Sequence, residues 1–408
     1  MRSEWPRRTP FRKSSFRLLS RSQLLLGTFI CILFTLGYYS FSYAYLLATA
    51  GNSAFFLPHH VTTIQTDAYT LAPNHRPVCL WQSWQHTRYA RLSENHSIYL
   101  AANFYNNEDV LPTFFQELPI LLHHLGPKHV YVSIYENGST DKTGSLLILL
   151  DDLLTRMGTP HTIVTSEDGE ISRDHPDHRI AILAGVRNKA LEPLMSGEAA
   201  RAMHGKTFDQ VLFMNDIFHC ATDILEVLYQ KDLQGANQAC ATDWGDPVVY
   251  DRWVMRAISG RPFYDYEDLI EFFNGDRKPK VTPTVFSCWN GATVFDASAF
   301  APPDPIRFRV SKNDLDQHGT PKNVTNKASE CFLPSVDMWK KAMGKILLVT
   351  KASVAYEYDR YNKYRKDTLP PNAESEHVNW LLTPPLRVAM QDNAAWYLPE
   401  RWAPWDEQ

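Results

Sequence analysis

The sequence predicts an α/β protein, a mostly parallel sheet flanked by helices, with one apolar N-terminal segment set apart from it. Three observations carry this. Runs rich in β-branched and aromatic residues alternate with helical patterns, which implies parallel pairing. The run Val211–Met214 is apolar throughout, as a strand covered on both faces must be, and it opens directly into Asn215-Asp216. The first fifty residues have a charge pattern unlike the rest.

The elements follow in order. Ser97 to Phe104 reads as the first strand and ends at Tyr105-Asn106-Asn107-Glu108. Val110, Phe114, Leu118, Leu121 and Leu125 then mark one helix face, which Gly126-Pro127 closes. His129–Tyr135 is the second strand. The polar loop Glu136-Asn137-Gly138-Ser139-Thr140-Asp141-Lys142-Thr143 leads to a helix with Leu146, Leu149, Leu150, Leu153 and Leu154 on one face. A third strand, His161–Thr165, precedes a helix from about His178 to Leu194 that presents Arg187-Asn188. The fourth strand is Val211–Met214, followed by a helix from about Thr222.

Beyond residue 235 the pattern loosens. Asn237–Thr242 is strand-like and opens into Asp243-Trp244-Gly245-Asp246-Pro247. Tyr250–Arg256 reads as helical, and Val285–Phe295 as a hairpin around Asn290-Gly291. Ser329-Glu330-Cys331 leads into a helix through Trp339, and Ile346–Val349 is a late strand. Residues 366–408 carry six prolines and read as an irregular tail laid on the domain.

The N-terminus adds a membrane expectation. Seven basic residues precede Leu24, against the single acid Glu4. An uncharged apolar run then extends to about Ala50, longer than the ~20 residues a bilayer requires. Tyr38, Tyr39, Tyr43 and Tyr45 crowd its later half, where an interfacial belt sits. A cleaved signal has a shorter apolar core. The expected organisation is therefore a cytosolic tail (1–23), a signal anchor (24–50), a stem (51–94), a luminal domain (95–365) and the tail (366–408). This is the single-pass type II plan of Golgi enzymes. In a lumen, the sequons at Asn95, Asn137 and Asn323 become glycan acceptors. Cys79, Cys220, Cys240, Cys288 and Cys331 are available for at most two bridges, whose pairing the sequence leaves open. The net charge of −4 gives no footprint for nucleic acid, and no CxxC or HxxxH spacing suggests zinc.

Four strand ends converge on one edge of such a sheet: Asn106/Glu108, Glu136 to Asp141, Arg187/Asn188 and Asn215/Asp216. Ligands of α/β sheets bind at the carboxyl ends of the strands. Asp216 either holds a divalent cation against a phosphate or caps the helix after it. Asp243 and Asp246 orient a sugar or an acceptor, or cap a turn. Glu330 stabilises a sugar cation or touches the acceptor, or it serves a helix dipole. Asp251 and Arg252 form a substrate clamp or a solvated pair. Trp289 is a stacking platform or core.

With these residues in view, Glu136-Asn137-Gly138-Ser139-Thr140-Asp141 resembles the acidic nucleotide-binding loop of glycosyltransferases with the GT-A fold. Arg187-Asn188 is similar to their Arg-Asn element, and Asn215-Asp216-Ile217 stands where their Asp-x-Asp motif stands. More narrowly, Ile98 to about Tyr358 resembles the fungal capsule-associated α-1,3-mannosyltransferases. The segments that carry this are Phe213–Phe218, Cys240–Trp244, Tyr250–Arg256, Cys288–Gly291 and Ser329–Cys331. The resemblance implies GDP-mannose as donor, Mn2+ or Mg2+ as cofactor, a glycan acceptor and retention of the α configuration. It assigns Asp216 to the metal, Asp216, Asp243 and Glu330 to catalysis, and Asn106, Glu108, Glu136, Asp141, Arg187, Asn188 and Asn215 to the nucleotide sugar.

The triad departs from the pattern, being Asn-Asp-Ile with one charged ligand; Asp337 and His377 are further candidates for the metal. The sequon at Asn137 falls inside the expected donor site and is expected to be unmodified. A different donor, or a glycan-binding assembly factor without turnover, are the competing expectations.

Overall fold

The computed structural model describes residues 59–81, 83–166, 179–245, 249–262, 283–322, 328–365, 378, 380, 382–390 and 401–408. The basic arm, the apolar run, Asp246, the Asn323 sequon, His377 and much of the tail lie outside the described residues. Among the described residues no helix is long and apolar enough to cross a membrane.

A seven-stranded sheet forms the centre, with β1 (Ile98–Phe104), β2 (Val130–Asn137), β3 (His161–Ser166), β4 (Gln210–Met214), β5 (Gln238–Asp243), β8 (Ala292–Asp296) and β9 (Ile346–Val354) in the order 3-2-1-4-8-5-9. Strands β1 to β4 are mutually parallel, β5 and β9 pair in parallel, and β8 alone runs against its neighbours. This bears out a mostly parallel α/β sheet. Strands β2 and β4 are buried along their whole length, which is why β4 reads as apolar from Val211 to Met214 and β2 as mostly β-branched and aromatic. From β1 the chain moves outward through β2 and β3, then returns to β4 on β1's other side. The strand order therefore reverses between β1 and β4, where a crevice opens at the carboxyl ends.

Helices cover the sheet. The strand-to-helix alternation places α3 (Leu111–Leu125), α4 (Thr143–Met157), α5 (Arg179–Ala190) and α8 (Ala221–Gln234) near their expected positions, with the short turns α6 (Glu192–Met195) and α7 (Glu198–Ala202) between α5 and β4. The stem is a correction. Residues 59–95 hold α1 (His59–Leu71) and α2 (Ser83–Asn95), both packed on the domain. Val61, Ile64 and Ala68 of α1 are buried, and Gln65 donates to the Phe115 carbonyl at 2.7 Å. Helix α2 docks through charge: Arg88 grips Glu226 of α8 with two 2.8 Å hydrogen bonds, and Tyr89 donates to the same carboxylate at 2.9 Å. A helix held by a buried ion pair shows little apolar period, so the sequence pattern conceals it.

Three further differences lie after β5. The segment Tyr250–Met255 is a series of turns that ends in β6 (Arg256–Ala257), not a helix. Seven residues are too few to hold a helix without tertiary help, and here the contacts oppose one. Arg256 is buried and donates to carbonyls of Arg252, Met255 and Ala389. The expected hairpin is absent as well. Asn290 and Gly291 do turn with positive φ (54° and 73°), but β7 (Val285–Ser287) pairs with β6 while β8 enters the main sheet between β4 and β5. Finally, the tail contributes β10 (Arg387–Met390) and β11 (Arg401–Pro404), an antiparallel pair. Helices α9 (Leu333–Lys340) and α10 (Tyr358–Tyr364) flank β9.

Two disulfides, Cys79–Cys220 and Cys240–Cys288, join the fold, and Cys331 is free and buried. The first fastens the chain after α1 to the start of α8. Beside it, Glu117 of α3 accepts the Ala221 N–H at 2.8 Å, placing a carboxylate at the N-terminus of α8. Burial pushes this carboxyl up to about 7 from its ordinary 4.5. An acid raised in this way binds its proton more tightly when folded, so it costs stability as pH rises from about 4.5 through 7. Glu117→Gln is expected to flatten that loss. Thermal melting of both proteins across this pH range checks it, and parallel profiles would contradict it.

Candidate active site

A cavity of about 670 Å³ opens at the carboxyl ends of the strands, within the size range of small-ligand sites. Helix α5 supplies one wall. Arg179, Ile182, Leu183, Val186 and Arg187 all line it, at the three- and four-residue spacing of one helix face. Asn103, Tyr105, Asn107 and Asn137 come from the ends of β1 and β2, Asn215 and Asp216 from the end of β4. Tyr250, Asp251, Trp253 and Val254 come from the turns after β5, and Phe104, Trp289, Ser329, Glu330, Cys331 and Tyr356 complete the lining.

Asp216 sits where the strand order reverses. Asn107, just past β1, donates through Nδ2 to Asp216 Oδ2 at 2.8 Å across the crevice. Asn107 is itself fixed, its N–H on Thr143 Oγ1 at 2.7 Å and its Oδ1 on the Tyr105 N–H at 2.6 Å. The cap alternative for Asp216 fails, because α8 begins at Ala221 and is capped by Asp223, which accepts the Cys220 N–H at 2.9 Å. Burial raises the Asp216 carboxyl above the ordinary range, against the opposing pull of Asn107 and Arg187. A desolvated carboxylate at a cavity edge fits a hard cation. Among the described residues no set of three His, Cys, Asp or Glu ligand atoms gathers around it. The three-residue group that does gather is Cys79, Glu117 and Cys220, whose two thiols are spent in a disulfide. Among the described residues Asp216 therefore stands at the cavity as a single carboxylate, a setting that a hard cation also bound by phosphate oxygens and water would fit. Asp337 is no candidate, since Arg309 holds both its oxygens at 2.7 and 3.0 Å.

Asn215 has a different role from the one its motif position suggests. Its Oδ1 accepts from Arg187 Nη1 at 3.0 Å and from Trp289 Nε1 at 3.1 Å, and its Nδ2 donates to the Tyr356 hydroxyl at 2.6 Å. Arg187 in turn donates through Nε to Glu330 at 3.2 Å and lies over the Trp289 ring, 4.7 Å from its centroid. Trp289 is 1% exposed and already faces Arg187, so it braces the site and offers no sugar platform. Asn215 is therefore a structural junction, its side-chain amide engaged by Arg187, Trp289 and Tyr356.

Several expected residues stand elsewhere, as corrections. Asn106, Glu108 and Asp141 lace the loops after β1 and β2 together and do not line the cavity. Asn106 Oδ1 accepts the Thr140 N–H at 2.8 Å, Glu108 Oε2 the Lys142 N–H at 3.1 Å, and Asp141 the N–H groups of Glu108 and Thr143 at 3.0 and 2.9 Å. Glu136 is buried and accepts the Ser139 N–H within its own loop. Short polar loops satisfy their own backbone first. Asn188 exchanges two hydrogen bonds with the Phe308 backbone, at 2.8 and 3.1 Å. Asp243 is fully buried behind Asp251, whose N–H it accepts at 3.4 Å. Burial, and secondarily the neighbouring Asp251, push its carboxyl well above the usual range.

Of the assigned residues, Arg187, Asn215, Asp216 and Glu330 meet in the cavity. Sequence reasoning missed Asn107, one residue from the chosen Asn106, and Tyr356, which lies past an expected strand end at Val349. Asn137 is 3% exposed and lines the cavity.

Asn215→Asp separates the junction from a ligand. A carboxylate there loses the donor to Tyr356 and competes with Glu330 for Arg187, a cost of about 1–3 kcal/mol. Melting a few degrees lower with no gain in Mn2+ affinity is the expected result. Tighter Mn2+ binding would make Asn215 a metal position.

Comparison with known proteins bears on the family of the chain. A family model described as Cryptococcal mannosyltransferase 1 matches residues 97–337, more than half of the chain. The chain is 32% identical over 318 residues to alpha-1,3-mannosyltransferase CMT1 of Cryptococcus neoformans var. neoformans serotype D, an alignment covering 71% of this chain and 66% of that protein, just under two thirds of its length. Among solved structures, mannosyltransferase PcManGT from Pyrobaculum calidifontis in complex with GDP-Man and Mn2+ is similar at 12% identity and a TM-score of 0.34, over 75% of this chain and 70% of that one. Glucosyl-3-phosphoglycerate synthase from Mycobacterium tuberculosis with Mn2+ and UDP-glucose gives 12% identity and a TM-score of 0.34, over 69% and 75%. By the extent of the family match, the chain belongs to the family described as Cryptococcal mannosyltransferase 1.

Proposed function

We propose that the protein is a metal-dependent retaining glycosyltransferase that moves mannose from GDP-mannose to a glycan, forming an α-1,3 linkage. The observation that carries this is the Asn107–Asp216 contact at the β1/β4 crevice, in a chain of a mannosyltransferase family. The linkage follows the name of the CMT1 relative. An N-terminal anchor with the catalytic domain in the Golgi lumen is part of the same proposal and rests on the charge and length of the first fifty residues.

In this proposal Asp216 holds Mn2+ or Mg2+, the choice open between them. When bound, the cation neutralises charge developing on the leaving diphosphate. The chain's own residues do the rest. Asn107 fixes the Asp216 carboxylate, so little reorganisation is needed when charge builds up. Arg179 and Arg187 bring positive charge to the wall formed by α5. Glu330 is bound to Arg187, which holds its carboxylate at the cavity lining, ready to face positive charge developing on the sugar. The cavity's apolar patch on α5 limits water, and transfer is favoured over hydrolysis when the acceptor is held close.

Release of GDP from GDP-mannose by the purified protein, with Mn2+ and an α-linked mannobiose, tests the proposal. Asp216→Ala is expected to lower turnover about 100-fold or more, the several kcal/mol that a metal-held charge supplies, and chelation should do the same. Undiminished turnover in the variant would remove Asp216 from the reaction. GDP-mannose binding without turnover would favour a glycan-binding factor.

A further inference from the structure

We infer that the turns after β5 form the acceptor wall of the cavity, with Tyr250 stacking on a pyranose ring and Asp251 accepting from its hydroxyls. The inference rests on the proposed function and assigns the residues that select the second substrate.

The cavity's lining charges come from different segments of the chain, and Glu330 is paired with Arg187, which leaves Asp251 as the acid of the turns after β5. The lining arginines, Arg179 and Arg187, both belong to α5. The lining acids outside Asp216 are Asp251 and Glu330, with Asp243 buried directly behind Asp251. A diphosphate is repelled by Asp251, so that wall suits an uncharged partner. Sugar hydroxyls are donors that a carboxylate receives well. Asp251 is held in place rather than solvated: Oδ2 accepts the Asn290 N–H at 3.4 Å, and its own N–H lies on Asp243. The expected Asp251–Arg252 pairing is replaced by Arg252 donating to the Val249 carbonyl at 3.2 Å, which leaves Asp251 to the cavity.

Tyr250 supplies the apolar half of such a site. It is 50% exposed at the cavity, while its ring packs on Tyr356 with centroids 4.9 Å apart and planes tilted by 48°. Tyr356 is anchored by Asn215, so the platform is tied to the same junction as Asp216. A packed aromatic face beside a half-buried carboxylate presents both the apolar and the polar complement of a pyranose.

The test is a split between substrates. Michaelis constants for GDP-mannose and for a panel of neutral acceptors (mannobiose, methyl α-mannoside, methyl α-glucoside) are measured for the wild type, Tyr250→Ala and Asp251→Asn. Both variants should raise the acceptor KM at least about tenfold more than the donor KM, the loss expected for one charged hydrogen bond or one stacked ring. Tyr250 is half exposed, so its truncation reports even if Asp251→Asn misfolds. Equal effects on both constants, or a rise confined to GDP-mannose, would overturn the assignment and give this wall to the donor sugar. A wild-type protein that releases GDP but is accelerated by none of the panel would also overturn it. A wild type that releases no GDP at all would instead remove the proposed function, and this inference with it.

Discussion

The site depends on one buried guanidinium. Arg187, its side chain 12% exposed, is held by the Asn215 amide, the Glu330 carboxylate and the face of Trp289. Burying a charge is costly unless it is paired and hydrogen-bonded, so these partners cannot drift independently. Between them they fasten α5, the end of β4, the Asn290-Gly291 turn and the approach to α9. That is four of the segments whose ends make the cavity. Removing one partner of such a cluster leaves an uncompensated charge, which costs far more than the pair contributes.

The same constraint explains the unusual motif. An acid at residue 215 would compete with Glu330 for Arg187, whereas an amide can accept from two N–H groups and still donate to Tyr356. Asn215 is thus the residue type the junction requires. The neighbouring Asp216 is turned to the crevice, tethered by Asn107 alone among the side-chain contacts described. Gly291 matters for the same reason: the Asn215 N–H reaches its carbonyl at 2.8 Å, and a Cβ there would meet Ile217 at 2.9 Å. The turn can approach the β4 end this closely only without a side chain.

Much of the sheet was legible because parallel strands leave an unambiguous apolar signal and each ends in a polar loop. Strand β4 and the residues Arg187, Asn215 and Asp216 could be found that way, whereas Glu330 came from its place before a helix and from the family resemblance. Less legible was which polar residue of a loop turns inward. Asn106 and Asn107 are chemically identical, and only the loop's backbone geometry, with Asn106 at a φ of 52°, sends the second to Asp216. Glu108, Glu136 and Asp141 have the composition of ligands but spend their oxygens on loop N–H groups. Helix α2 and the turns at Tyr250–Met255 were hidden because buried ion pairs and long-range hydrogen bonds, rather than periodicity, decide their conformation. Tyr356 was hidden because β9 runs five residues beyond its apolar start, through Lys351.

The central claim is that the protein offers the metal one carboxylate and leaves the remaining positions to the nucleotide. Titration of Mn2+ followed by electron paramagnetic resonance, with and without GDP, tests this most directly. The account predicts weak Mn2+ binding to the protein alone and markedly tighter binding when GDP is present, with both lost in Asp216→Asn. Tight Mn2+ binding without nucleotide, or binding that survives in Asp216→Asn, would contradict it and require a ligand set built by other residues.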